Sequence, residues 1–235
     1  TLLQRYLWSA FFTDRYENSS ASRAYADFKA LKTVLKYQQF DDTHIAQIPV
    51  MDREQYPLAT RDELKAARWP KAMGIEARGI MAVTTYLEAR DFADNQPASY
   101  DNLQKREYHH VFPDALLQEA EIPSFLALNC ALITWKTNRV IGRKDPLAYL
   151  KERVGWAGED TVRQRMKTHL IDYDLLAKGE YGDLEQPEAR ERLKQDFERF
   201  LDDRAGRVAQ VVECLTVGQQ PDLHQLWQAP ATMES

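Results

Sequence analysis

The residues best suited to chemistry lie in two short segments, REYHHVFP at 106–113 and NCALITWKTNR at 129–139. His109 and His110 are consecutive. Neighbouring side chains of an undistorted strand face opposite ways, so both serve one centre only where the strand bends or ends. Pro113 supplies a reason for such an ending, since it fixes φ and cannot donate to a ladder. Imidazole is the side chain that titrates nearest neutrality, which suits His110 to the role of general base. Asn129, at the entrance to the second segment, is placed to hold that ring through an amide hydrogen bond. His109 and Asn138 would meet at one divalent ion, which polarises a phosphodiester and stabilises charge developing on its leaving oxygen. Two neutral ligands leave the substrate phosphate and waters to complete the shell. The ligand trend then gives manganese or nickel higher affinity than magnesium, with Mg2+ or Mn2+ expected in use, one ion per centre.

Those side chains need a strand, a connection, a second strand and a helix to meet. Residues 107–112 read as the first strand, and the apolar, partly β-branched run from Ala131 to Trp135 as its partner. A polar, basic run begins at Lys136. Lys136, Arg139, Arg143 and Lys144 surround the expected metal helix and are assigned to nucleic-acid phosphates. Arg163, Arg165 and Lys167 form a second basic run that reads equally well as a wet helix face. The three isolated histidines, His44, His169 and His224, read as structural or solvated.

Most of the remaining chain carries helical periodicity. Leu3, Leu7 and Phe11 recur every four residues, and Tyr25, Phe28, Leu31 and Leu35 continue the repeat after a polar Asn18-Ser19-Ser20 turn. Residues 79–90 place Ile80, Val83, Thr84 and Leu87 on one face, and 91–104 read as a loop leading to the strands. Pro146 opens a helix through Arg153, with Gly155 and Gly158 bracketing a break. A short helix is expected over 161–169, a loop over 178–187 and a last helix over 188–215. That last helix carries Leu193, Phe197, Leu201, Val208, Val212 and Leu215, with Gly218 as its stop. Tyr6, Trp8, Phe11, Phe12 and Tyr16 read as helix packing.

The two chemical segments together resemble the HNH, or ββα-metal, nuclease family. The stretch HHVFPDALL…NCALITWKTNRVIGRKDPLAYLKERV is similar to the C-terminal nuclease part of DUF262/DUF1524 proteins, which restrict modified or phage DNA. The resemblance covers roughly 105–155. It implies His110 as base, Asn129 as the middle asparagine, and His109 and Asn138 as metal ligands. His109 stands where aspartate is commonest in the family, which keeps a ligand and removes a negative charge. Weaker likenesses are YLWSAFFTDRYENSS at 6–20 and the final FLDDRAGRVAQVVECL. The nucleotide-site motif of the family's N-terminal domain is absent, which suggests the C-terminal part of a longer restriction protein whose missing domain is a partner of this one.

The resulting expectation is a mainly α fold, a helical bundle-like body with an inserted ββα-metal element. Residues 1–104 would brace the centre, 105–155 form it, and 156–235 pack back on the N-terminal helices. The activity implied is metal-dependent nicking of DNA, with double-stranded DNA as the expected substrate; a double-strand break needs a second centre, as in a homodimer, or repeated nicking. The alternatives are an inert interaction module that keeps the nuclease shape, and a purely helical scaffold, which requires helix at 107–112 and 131–135.

Composition sets the outer bounds. A chain of 235 residues with 44% hydrophobic residues can bury a substantial core in one domain or two closely packed lobes. The net charge of −5 argues against a broad nucleic-acid-binding surface but leaves room for a local one. Cys130 and Cys214 form neither a disulfide framework nor a C-x-x-C zinc pattern, which fits a reducing cytoplasm. The chain has no run of apolar residues long enough for a membrane span.

Overall fold

The computed structural model describes residues 1–71, 74–97, 106–134 and 144–228. Among the described residues the α-helices are α1 (Leu2–Phe11), α2 (Ser20–Tyr37), α3 (Asp42–Ile45), α4 (Arg61–Ala66), α5 (Ile75–Tyr86), α6 (Asp114–Glu119), α7 (Pro146–Ala157), α8 (Glu159–Thr168), α9 (Tyr173–Leu176), α10 (Pro187–Thr216) and α11 (Leu223–Gln228). The strands β1 (Arg106–His110) and β2 (Cys130–Thr134) form a two-stranded antiparallel sheet. With 61% helix and 6% strand among the described residues, the fold is mainly helical. Strand at both segments removes the purely helical scaffold.

The chain divides into two compact units, Thr1–Thr60 with Ala209–Ser235, and Arg61–Val208. These boundaries differ from those expected near 104 and 155. The segment 105–155 shares its unit with 61–104 and 156–208, because a lone two-stranded hairpin is marginal in water and needs helices to cover it.

In the first unit the core is built from Leu31, Val34, Ile45, Ile48, Val50 and Met51. The expected Leu3–Leu7 stripe is corrected: Leu3 and Leu7 are 58% and 48% exposed, while Trp8 and Phe12 are buried. A four-residue spacing fits either row, and the row with the larger aromatic area is the one withdrawn from water. On α2, Tyr25, Phe28 and Leu35 are exposed and the buried face is Asp27, Leu31 and Val34. Asp27 belongs there because Arg15 grips it with two donors, Nε at 3.1 Å and Nη2 at 2.8 Å, and the Tyr16 hydroxyl donates to it at 2.5 Å.

In the second unit α5 buries Ile80, Met81, Val83 and Thr84, as its periodicity implies. Gly155 lies inside α7, and the break comes at Gly158 alone, whose φ of +81° suits glycine. The part of α10 through Val208 belongs here: Phe197 and Phe200 pack against Phe112 with ring centroids 5.1 and 5.2 Å away. Among the described residues, no helix is long and apolar enough to cross a membrane.

Candidate active site

The hairpin register pairs His109 with Ala131 and His110 with Cys130, so His110 is the last residue of β1. Beyond it the chain is held at several points. The Val111 N–H donates to the Asn129 carbonyl at 2.9 Å, and the Phe112 N–H donates to Asn129 Oδ1 at 2.8 Å. Asn129 Nδ2 in turn donates to the Phe112 and Ser124 carbonyls at 3.0 and 3.1 Å. The Tyr149 hydroxyl on α7 donates to the Val111 carbonyl at 2.9 Å. Asn129 is fully buried. Its expected hydrogen bond to the His110 ring is therefore corrected: the amide fixes the main chain that follows the histidine. A buried turn must satisfy its peptide groups, and an amide with one acceptor and two donor hydrogens does so here.

The His110 ring is positioned by aromatic side chains. It lies face to face on Trp69, with centroids 4.0 Å apart and planes 18° apart, and edge-on to Phe125 at 4.8 Å. Trp69 reaches it because Arg68 and Leu126 form an antiparallel bridge and the Ala127 N–H donates to the Ala67 carbonyl at 2.8 Å. This enclosure pushes the His110 pKa below the ordinary imidazole value, with the Asp114 carboxylate acting weakly the other way. The neutral ring that a general base requires is thereby favoured at neutral pH.

His109 faces other neighbours. It is 4% exposed and meets Phe92 edge-on at 6.3 Å. Phe92 also touches the ring of buried His169, whose Nε2 lies 2.7 Å from the Arg90 carbonyl. The preceding residue, Asp91, is fully buried and accepts the Thr134 N–H at 2.6 Å and the Ala93 N–H at 2.9 Å, which ties the 91–97 segment to the end of β2. As strand alternation requires, the aromatic neighbours of His109 among the described residues differ from those of His110.

Asn138, Lys136, Arg139 and Arg143 lie outside the described residues. Among the described residues His109 is the expected metal donor, and no group of three or more His, Cys, Asp and Glu side chains stands together as a metal cluster. Lys144 lies beside α7 with its ammonium on Glu152 at 2.5 Å, so phosphate contact by this lysine requires that pair to open. In the second basic run Arg163 holds Asp174 and Glu159, and Arg165 donates to the Phe92 and Ala93 carbonyls; both brace the fold.

Sequence reasoning also missed Arg204. Fully buried on α10, it donates from Nη1 to the Leu128 and Cys130 carbonyls and from Nε to the His169 carbonyl. These bonds flank Asn129 on both sides. Burial pulls the Arg204 pKa down to about 10. Nothing local in the sequence marks Trp69, Asp91 or Arg204; the Trp69-Pro70 pair is the nearest thing to a signal, as a proline forces the residue before it into extended backbone.

Over 212 residues, 85% of its length, the chain is 22% identical to Uncharacterized protein MJ0686 of Methanocaldococcus jannaschii. The match spans 34% of that relative. No family model and no solved structure matches the chain.

Proposed function

We propose that the chain is an HNH-type, metal-dependent DNA endonuclease acting in restriction of phage or modified DNA. One observation carries the reading: the strand bearing His110 ends in a turn pinned by the buried Asn129 amide, with the imidazole clamped against Trp69. Such a ring is held in place before substrate arrives, which is what a general base needs.

In this reading His110 accepts a proton from the attacking water as the new P–O bond forms and the bond to the leaving oxygen breaks. A Mg2+ or Mn2+ ion, which His109 and Asn138 would hold, would supply charge stabilisation on the phosphate. Trp69 and Phe125 keep the ring oriented and partly dry. Asn129 acts through the main chain as a positioning residue.

The test is nicking of supercoiled plasmid by the purified chain with Mg2+ or Mn2+, with and without chelator, beside His110→Ala. Metal-dependent nicking that His110→Ala abolishes supports the reading. Nicking that survives the substitution overturns the assignment of the base. A second reading, an inert module that keeps the nuclease shape, is favoured by the separate surroundings of His109 and His110. It predicts a folded chain with neither Mn2+ binding nor nicking.

A further inference from the structure

Arg153 is among the largest fully buried side chains of the protein, at 1% exposure. Its Nε, Nη1 and Nη2 atoms are all buried, and among the described residues none of them has a hydrogen-bond partner. Taking a guanidinium out of water without pairing it costs several kcal/mol, and a fold seldom tolerates that without a reason. The nearby carboxylates are already engaged: Asp91 accepts backbone N–H groups of Thr134 and Ala93, and Glu152 takes the Lys144 ammonium. Arg165, a second buried guanidinium whose like charge disfavours the charged form of Arg153, donates to the Phe92 and Ala93 carbonyls.

The contact that does cover Arg153 is aromatic. The Trp156 ring lies 4.3 Å from the guanidinium carbon, and Trp156 is itself 62% exposed. An indole with that much of its surface in water can swing aside at little packing cost and uncover the donors beneath it. The helix that carries both residues is also the helix whose Tyr149 bonds the Val111 carbonyl, one residue past His110.

We infer that Arg153 is an oxyanion seat for a phosphate of the nucleic-acid backbone flanking the cut, closed by Trp156 when empty. The inference rests on the nuclease reading for its ligand. Its planar fork of donors matches phosphate oxygens in a way that an ammonium does not. The phosphate oxygens would replace the acceptors the protein withholds.

The test has two arms, both on the full chain. In the first, binding of a fluorescent duplex is followed by anisotropy across a salt series, with chelator present to stop cutting. Each phosphate contact contributes about 0.9 to the slope of log K against log salt, so Arg153→Gln and Arg153→Met should make it shallower by about that much, and Arg153→Lys should largely keep it. In the second, inorganic phosphate should raise the melting temperature of the wild type and leave that of Arg153→Met unchanged. Without phosphate, Arg153→Met should melt no lower than the wild type, since it replaces an unpaired buried cation by an apolar chain.

An unchanged salt slope overturns the inference, and so does an Arg153→Met protein that melts well below the wild type, because the cation would then be a structural partner. A phosphate effect without a slope change means a small free anion and overturns the nucleic-acid assignment. A shallower slope in a protein that never nicks leaves the seat standing and removes the nuclease reading. Intact nicking with an unchanged slope does the reverse.

Discussion

Replacing Asn129 by alanine is the sharpest probe of how the candidate site is held. The side chain makes three hydrogen bonds to main chain: it accepts from the Phe112 N–H and donates to the Phe112 and Ser124 carbonyls. All lie in the buried interior beside a fully buried amide. A buried backbone group left without its partner costs about 1–3 kcal/mol, and partial relaxation of the Ser124 loop reduces the sum, so Asn129→Ala should lose about 3–5 kcal/mol. That is a large share of the roughly 5–15 kcal/mol that holds a typical domain. The assay is urea unfolding followed by both fluorescence and circular dichroism, since a chain with two compact units need not unfold in one step. Nicking is measured separately at a temperature where the variant is folded, and on the proposed nuclease reading it should fall with the lost turn. Asn129→Asp provides the control: it keeps an acceptor for the Phe112 N–H but turns a carboxylate toward two carbonyls. At neutral pH it should cost at least as much as alanine. Its buried carboxyl would have a raised pKa, so its stability should improve as pH falls toward the ordinary carboxylate range. A loss under about 1 kcal/mol for Asn129→Ala would refute the reasoning, because the turn would then be fixed by the Val111 and Tyr149 bonds alone.

Arg204→Met should destabilise the second unit by about 3–5 kcal/mol in the same urea assay, since it strips a buried cation from three carbonyls. Arg204→Lys should recover little of that loss, because one ammonium cannot reach the Leu128, Cys130 and His169 carbonyls as the fork does. In the first unit Asp27→Asn leaves the buried Arg15 guanidinium short of its counter-charge and should cost about 3–5 kcal/mol, read by hydrogen exchange across α2. Trp69→Leu should keep the fold but release the His110 ring, which on the proposed nuclease reading is visible as a lower kcat for nicking at little change in KM. The Arg163 guanidinium holds the Asp174 carboxyl below its ordinary range. The stability this gives is present above the unfolded carboxylate pKa and is lost as pH falls through the lowered value; Asp174→Asn should flatten that part of an acid melting series.

What the sequence made legible was what depends on near neighbours. The strand at 130–134 follows from a short apolar, partly β-branched run closed by a polar stretch, the strand at 106–110 from the stop that Pro113 sets behind it, and the long helix from Pro187 to Thr216 from its spaced apolar residues Leu193, Phe197, Leu201, Val208, Val212 and Leu215, all of which are buried. Choosing between two helical rows in α1 was beyond the pattern, since Leu3–Leu7 and Trp8–Phe12 have the same spacing and differ only in what the rest of the unit covers. The buried face of α2 was obscured for a related reason: Asp27 sits on it, and a polar letter at a core position reads as solvent until Arg15 is known to meet it.

The candidate site divides along the same line. His109, His110 and Asn129 stand out because their types and spacing are unusual within a short stretch, whereas the side chains that shape the site come from far along the chain. Trp69 lies 41 positions before His110, and Arg204 lies 74 positions after the Cys130 carbonyl it binds. Their function arises only when the helices close around the hairpin, and nothing in a letter R tells a guanidinium gripping three carbonyls from one in water. Arg153 makes the point most sharply. Its burial is a property of the folded unit, its lack of an acceptor is a property of the described neighbours, and the need for a ligand follows from the two together.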